Sequence, residues 1–257
     1  MPYVPLPHAG RIHYAERGER RANTAPALFI HGAGASSAIW SMALARAARF
    51  THAVAIDLPG HGPSASEGAA LDGSTGLTLA RYRDAAGELA GTLCLGPSVL
   101  VGHSMGALVA IAAAAAWPDK VRSLVLCGAA PHLGVNPELA RLLRDAPDRV
   151  PLWLAEHALS PRAAPALRRG FIAAGSVSPP EVTSADFEIV ASTDLGAQLQ
   201  EVRCPITWLD GADDALVSQP SGERRGEIVT LPGVGHLVPI EAPGAVADAV
   251  RAAVVAV

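Results

Sequence analysis

Gly102-His103-Ser104-Met105-Gly106 sets a serine between two glycines, and its flanks give that serine a place to act. A short apolar run, Ser98-Val99-Leu100-Val101, precedes it, and an alanine-rich segment, Ala107 to Trp117, follows. Strand, Gly-x-Ser-x-Gly and helix in that order describe a nucleophile elbow, a strained turn that lifts a serine hydroxyl clear of the sheet edge. The glycines let neighbouring backbone approach without a Cβ in the way. Ser104 then stands at a helix N-terminus, where the local dipole favours a developing negative charge. The plainer reading of the pentapeptide is a helix entry with Ser104 as its N-cap. The flanking elements and the partners downstream argue against it.

A serine hydroxyl is a poor nucleophile near neutral pH. It needs a base to take its proton, an acid to orient the base and donors aimed at the oxyanion. With this elbow the expected chain order is serine, acid, histidine. His236 lies in the glycine-rich stretch Leu231-Pro232-Gly233-Val234-Gly235-His236-Leu237, and of nine histidines it alone lies beyond residue 157. Three aspartates, Asp210, Asp213 and Asp214, follow an apolar run and precede it. Asp214 sits far enough past Gly211 to turn back toward the imidazole and is the expected acid. Asp213 is the next candidate, and a polar turn accounts equally for Asp210 and Asp213. The oxyanion donors are expected to be the backbone N–H of Met105 and, from the loop His31-Gly32-Ala33-Gly34-Ala35, that of Ala33. His31, His61 and His103 are expected to be structural. Trp153, His157, Phe171 and Leu237 are the candidate substrate contacts, with local core packing the competing role for Trp153 and Phe171.

The elements that must position these residues are legible as apolar runs. Strands are expected at Arg11–Ala15, Ala27–Ile30, His52–Ile56, Ser98–Val101, Ser123–Cys127, Ile206–Leu209 and Glu227–Leu231. Helices are expected at Ile39–Ala48, Leu77–Cys94, Ala107–Trp117 and Ala242–Val257. Continuous apolar strands alternating with helices mean an α/β fold whose mostly parallel central sheet is covered by helices on both faces. Residues 63–76, rich in Gly, Ser and Ala, are expected to be an exposed loop. Residues 131–196 hold no convincing strand and are broken by prolines at 137, 147, 151, 161, 165, 179 and 180. They read as several short helices inserted into the core, because a loose linker would expose Leu142, Leu143, Trp153 and Phe171. The division is therefore a core of residues 1–130 and 197–257 and a small helical lid of residues 131–196.

Composition narrows the chemistry further. A chain of 257 residues, half of them hydrophobic, can build one large core, and with 4% aromatics that core must rest on Ala, Val and Leu. The net charge of −4 and the lack of a long basic run give no support to nucleic-acid binding. No His-Glu-x-x-His or close His/Asp cluster offers a metal site. Gly32-Ala33-Gly34 is not a dinucleotide fingerprint, so no cofactor is expected. The N-terminus lacks a signal-peptide pattern, and Ala107 to Trp117 is too short to span a bilayer. Cys94, Cys127 and Cys204 lie in or beside apolar segments and are expected to be buried reduced thiols, which fits a cytoplasmic protein.

Taken together, the chain resembles the α/β-hydrolase fold family in its capped single-domain branch. The resemblance runs through His31-Gly32, Trp40, Asp57-Leu58-Pro59-Gly60-His61-Gly62-Pro63-Ser64, the elbow, Pro118-Asp119-Lys120-Val121, Gly211-Ala212-Asp213-Asp214 and Gly233-Val234-Gly235-His236. It implies Ser104, Asp214 and His236 as the triad, Ala33 and Met105 as the oxyanion hole and a helical lid over the site. A serine at the elbow argues against members whose nucleophile is a carboxylate. Ala35 stands where carbon–carbon bond hydrolases typically have proline. The expected activity is hydrolysis of a carboxylic ester of a small or medium molecule through an acyl-enzyme. An enol-lactonase or carbon–carbon bond hydrolase of ring-cleavage metabolism is the alternative. A non-catalytic ligand-binding module on the same scaffold is the third reading.

Overall fold

Eight strands form one sheet in the computed structural model, which describes residues 2–65, 76–174, 178–217 and 223–255. They are β1 (Tyr3–Leu6), β2 (Gly10–Arg17), β3 (Ala27–Ile30), β4 (Ala53–Ile56), β5 (Ser98–His103), β6 (Val121–Cys127), β7 (Ile206–Gly211) and β8 (Glu227–Leu231). Their order across the sheet is β1-β2-β4-β3-β5-β6-β7-β8. From β4 to β8 every pairing is parallel, while β1 pairs with β2 and β2 with β4 antiparallel. This is the α/β-hydrolase fold.

Side chains alternate across the pleat and so feed two cores. On one face Leu28, Ile30, Leu100, Leu124 and Leu126 pack with α2 (Leu79–Thr92) and α3 (Met105–Ala116). On the other, Phe29, Val99, Val101 and Val125 meet α1 (Ser41–Ala47) and the closing helix (Pro243–Val255). Ala107, Ala110, Ala113 and Ala114 of α3 are all buried. Small side chains bring this helix close to the sheet, which suits a core with few aromatics.

Between β6 and β7 the chain forms α4 (Pro137–Asp145), α5 (Val150–His157), α6 (Pro165–Ala174), α7 (Pro180–Ser192) and α8 (Gly196–Glu201). Prolines open α4, α6 and α7, where the missing N–H costs nothing. Leu139, Leu142, Leu143, Val150 and Trp153 bury one another in a separate cluster. The ends of the stretch meet: His132 bridges Asp194, and the Leu195 amide donates to the Pro131 carbonyl at 2.9 Å. Two short helices close the chain, α9 (Val238–Glu241) and α10 (Pro243–Val255).

One strand carries no sequence expectation, and three local expectations need correction. β1 is a strand despite Pro5, because an edge strand tolerates a residue that cannot donate on its free side. Residues 62–65 form a 3₁₀ turn rather than exposed loop. Ser64 is fully buried there, its hydroxyl donating to the Asp57 carbonyl at 2.9 Å and accepting the His13 amide at 2.9 Å. The rest of that expected loop, 66–75, lies outside the described residues. The helix expected to reach Cys94 ends at Thr92, and Cys94 takes a left-handed conformation (φ 49°) that turns its thiol to solvent. Of the three free cysteines only Cys127 is fully buried, and burial pushes its thiol pKa up.

Candidate active site

Ala33, Ser104, Asp214 and His236 each follow the C-terminal end of a parallel strand, where open α/β sheets present their ligand-facing loops, whereas Trp153 and His157 lie in α5 and Phe171 in α6. Ser104 follows β5 with φ 52° and ψ −119°, a conformation L-residues rarely adopt. Crowding on both sides enforces it. A Cβ on Gly102 would stand 2.4 Å from the Gly106 carbonyl oxygen, and one on Gly106 would stand 2.3 Å from that of Ile30. The Ser104 amide donates to the Cys127 carbonyl at 3.0 Å, fastening the turn to the end of β6.

Asp214 and His236 reach the same sheet end from the loops after β7 and β8. Their loops are zipped together: the Ala212 amide donates to Leu231 and that of Asp213 to Val234, both at 2.9 Å. Gly211 allows the approach, since a Cβ there would stand 2.1 Å from the Gly235 carbonyl oxygen. The result places His236 Nδ1 3.0 Å from Asp214 Oδ2, with both side chains buried. A carboxylate only accepts, so Nδ1 carries the proton and Nε2 keeps its lone pair. Asp214 Oδ1 accepts the Leu216 amide at 2.8 Å and that of Val217 at 2.9 Å. Burial alone would raise the Asp214 pKa. The His236 charge, its hydrogen bond and the two amides outweigh that and hold the carboxyl below its usual range.

The other two aspartates face elsewhere. Asp213 Oδ2 accepts from the Ser160 hydroxyl at 2.7 Å, and Asp210 is paired with Arg224 at 2.8 and 2.9 Å. The backbone of His236 is gripped from three sides. Its amide donates to Ala158 at 2.7 Å, its carbonyl accepts from His103 Nε2 at 3.0 Å, and the Gly235 amide donates to Glu241 at 3.1 Å. Gly128, next to the Cys127 that holds Ser104, abuts the imidazole: a Cβ there would stand 3.2 Å from His236 Nδ1. Ser104 and His236 thus share the end of β6.

His31 and His103 are locked neutral. His31 Nδ1 donates to the Gly32 carbonyl at 2.9 Å while Nε2 accepts the Leu58 amide at 3.1 Å, a single tautomer with no room for a second proton. Burial, with the charge of His61, pushes its pKa well below the ordinary histidine value. Burial pulls His103 down to about 3, with His236 adding to the effect. Neither can serve as a base that charges at neutral pH.

The loop after β3 lies against the serine. A Cβ on Gly32 would stand 3.2 Å from Ser104 Cβ and 2.9 Å from His103 Nδ1. This sets the amides of Ala33 and Met105 on the two elements that flank Ser104. Of the candidate substrate contacts, Trp153 is buried in the α4–α5 cluster and stacks on His157 at 4.1 Å, while Phe171 and Leu237 are half-buried. Among the described residues, no group of three or more His, Cys, Asp or Glu side chains is arranged to hold a metal, and no helix is long and apolar enough to cross a membrane. A cleft of about 390 Å³ between α2 and α3 opens at the opposite sheet end and contains none of these residues.

The family profile described as the alpha/beta hydrolase family matches residues 27–249. The chain belongs to the alpha/beta hydrolase family. It is similar to the (E)-2-((N-methylformamido)methylene)succinate hydrolase of Acinetobacter baylyi, 25% identical over 274 residues that cover 93% of this chain and 92% of that one. Among solved structures, this alpha/beta hydrolase resembles a thermophilic esterase from Thermogutta terrifontis, with a TM-score of 0.80 at 22% identity over 98% and 97% of the two chains. It also resembles the enol-lactonase of Burkholderia xenovorans LB400, with a TM-score of 0.79 at 21% identity over 98% of each.

Several residues near the site carry no sequence signal. Glu241, which holds both Gly235 and the Ser160 amide, looks like an ordinary helix residue. Asp186 and Tyr82, described below, belong to no motif. Their partners lie 104 to 152 positions away, and a single sequence shows no such pairing.

Proposed function

We propose that this alpha/beta hydrolase cleaves a carboxylic ester of a small or medium molecule through an acyl-enzyme on Ser104. His236 Nε2 takes the Ser104 proton as Oγ attacks the carbonyl carbon. The oxyanion that forms is held by the backbone N–H groups of Ala33 and Met105. Asp214 keeps the proton on Nδ1 and stabilises the imidazolium. Collapse of the tetrahedral intermediate breaks the C–O bond, and His236 returns its proton to the leaving alkoxide. Water then attacks the acyl carbon with His236 again as base, which releases the acid and restores Ser104. The helices between β6 and β7, residues 131–196, act as a lid bounding the pocket with Trp153, His157, Phe171 and Leu237.

The observations that carry this reading are the strained Ser104 elbow, tied to Cys127 at the end of β6, and the buried His236–Asp214 pair that abuts the next residue, Gly128. A second reading, ring-opening of an enol-lactone by the same residues, is favoured by the likeness to the Burkholderia enol-lactonase. A panel of p-nitrophenyl esters and enol-lactones separates the two. Ester hydrolysis with saturable kinetics, abolished in Ser104→Ala, supports the first. Turnover confined to lactones supports the second, and full activity in Ser104→Ala overturns both.

A further inference from the structure

A buried carboxylate from α7 reaches into the loop that flanks Ser104. Asp186 is fully buried and uses both oxygens. Oδ1 accepts the Tyr82 hydroxyl at 2.6 Å, and Oδ2 accepts the Gly34 amide at 2.8 Å and pairs with His61 Nε2 at 2.7 Å. His61 Nδ1 lies 3.1 Å from the Pro59 carbonyl, which can only accept. Both ring nitrogens of His61 are thus engaged, Nδ1 by the Pro59 carbonyl and Nε2 by Asp186, and both side chains are fully buried. The His31 ring lies 4.7 Å from that of His61, so this cluster adjoins the start of the loop.

The grip on the loop is also steric. Gly34 has φ +63°, and a Cβ there would stand 2.9 Å from Thr183 Cγ2, one turn before Asp186 on the same face of α7. Just before that helix, the Ser178 hydroxyl donates to the Ala35 carbonyl at 3.3 Å. A tie needed only for packing would not require a buried polar cluster, since apolar residues of like volume often serve as well in a buried site. A carboxylate aimed at the Gly34 amide does something packing cannot. It holds the Ala33–Gly34 peptide, one Cα away from the Gly32–Ala33 peptide that carries the Ala33 N–H.

We propose that Asp186 is a positioning residue that aims the Ala33 amide at the oxyanion through its bond to Gly34, with Tyr82 and His61 holding the carboxylate in place. The proposal rests on the acyl-enzyme reading above. An oxyanion donor acts on the transition state and hardly at all on ground-state binding. Asp186→Ala, which removes the acceptor altogether, should therefore lower kcat on p-nitrophenyl acetate about 10- to 100-fold. KM should change less than about threefold. The Ki of an alkyl trifluoromethyl ketone, whose hemiketal oxygen occupies the oxyanion position, should rise by the same factor as kcat falls.

Folded Asp186→Ala with kcat and ketone Ki within about twofold of wild type overturns the proposal. Should that variant not accumulate folded, Tyr82→Phe removes one support and leaves the Gly34 bond. It should lose about two- to fivefold in kcat with a matching rise in Ki, and unchanged values overturn the proposal. Ser104→Ala is run alongside. If it loses activity while Asp186→Ala does not, the role of Asp186 alone fails. If it keeps activity, the acyl-enzyme reading itself fails.

Discussion

Asp214 Oδ2 stands 3.0 Å from His236 Nδ1, and the second oxygen of the same carboxylate is held by two backbone amides of its own loop. The carboxylate is thereby fixed independently of the imidazole, which must adapt to it. Asp214→Asn keeps the shape but can present N–H to Nδ1, favouring the tautomer with its proton on Nε2. Activity on p-nitrophenyl acetate should fall about 10⁴-fold in kcat. Asp213→Asn changes a residue that faces Ser160, and kcat should stay within about fivefold. Steady-state kinetics on both variants check the assignment, and equal losses would contradict it.

The elbow glycines make a stability prediction with an internal contrast. Gly106→Ala drives a Cβ to 2.3 Å from the Ile30 carbonyl oxygen, backbone against backbone, and should cost more than about 3 kcal/mol or prevent folding. Gly91→Ala, near the end of α2 with nothing within 4 Å of the new methyl, should stabilise by up to about 1 kcal/mol. Urea midpoints read both.

Stability should also depend on pH through the neutral histidines. Both His31 and His103 bind a proton less readily folded than unfolded, and His103 falls to about 3. Below the unfolded histidine pKa of about 6.5 the unfolded chain holds more protons, so stability is lost as pH drops. Each such group contributes a slope of about 1.4 kcal/mol per pH unit until its folded pKa is reached. His103→Gln can still donate to the His236 carbonyl but does not titrate. It should remove about one proton's worth of that slope between pH 6 and 4, measured by urea unfolding at several pH values. An unchanged slope would contradict the burial argument.

Much of the candidate site was legible because its signals are local. Ser104 stands out through Gly102 and Gly106, two positions where an added Cβ would stand 2.4 and 2.3 Å from backbone oxygens. The central strands are continuous apolar runs because both faces of the sheet are covered. Asp214 was preferred on its distance past Gly211 alone; the structure sets it against His236, while Asp213 faces Ser160 and Asp210 pairs with Arg224. Asp186 was illegible, being a single acid on a helix whose partners are His61, Tyr82 and Gly34. The exposed Cys94 was misread because its apolar neighbours hide a left-handed turn. β1 was overlooked because its proline rules out a central strand but not an edge.

The most direct test of the central claim is mass-spectrometric mapping after reaction with a fluorophosphonate. Attack by an activated serine should place one phosphonyl group on the peptide containing Ser104 in folded wild-type protein, slowly in His236→Ala and not at all in Ser104→Ala. Folded wild-type protein that hydrolyses esters yet carries no adduct on Ser104 would contradict the account.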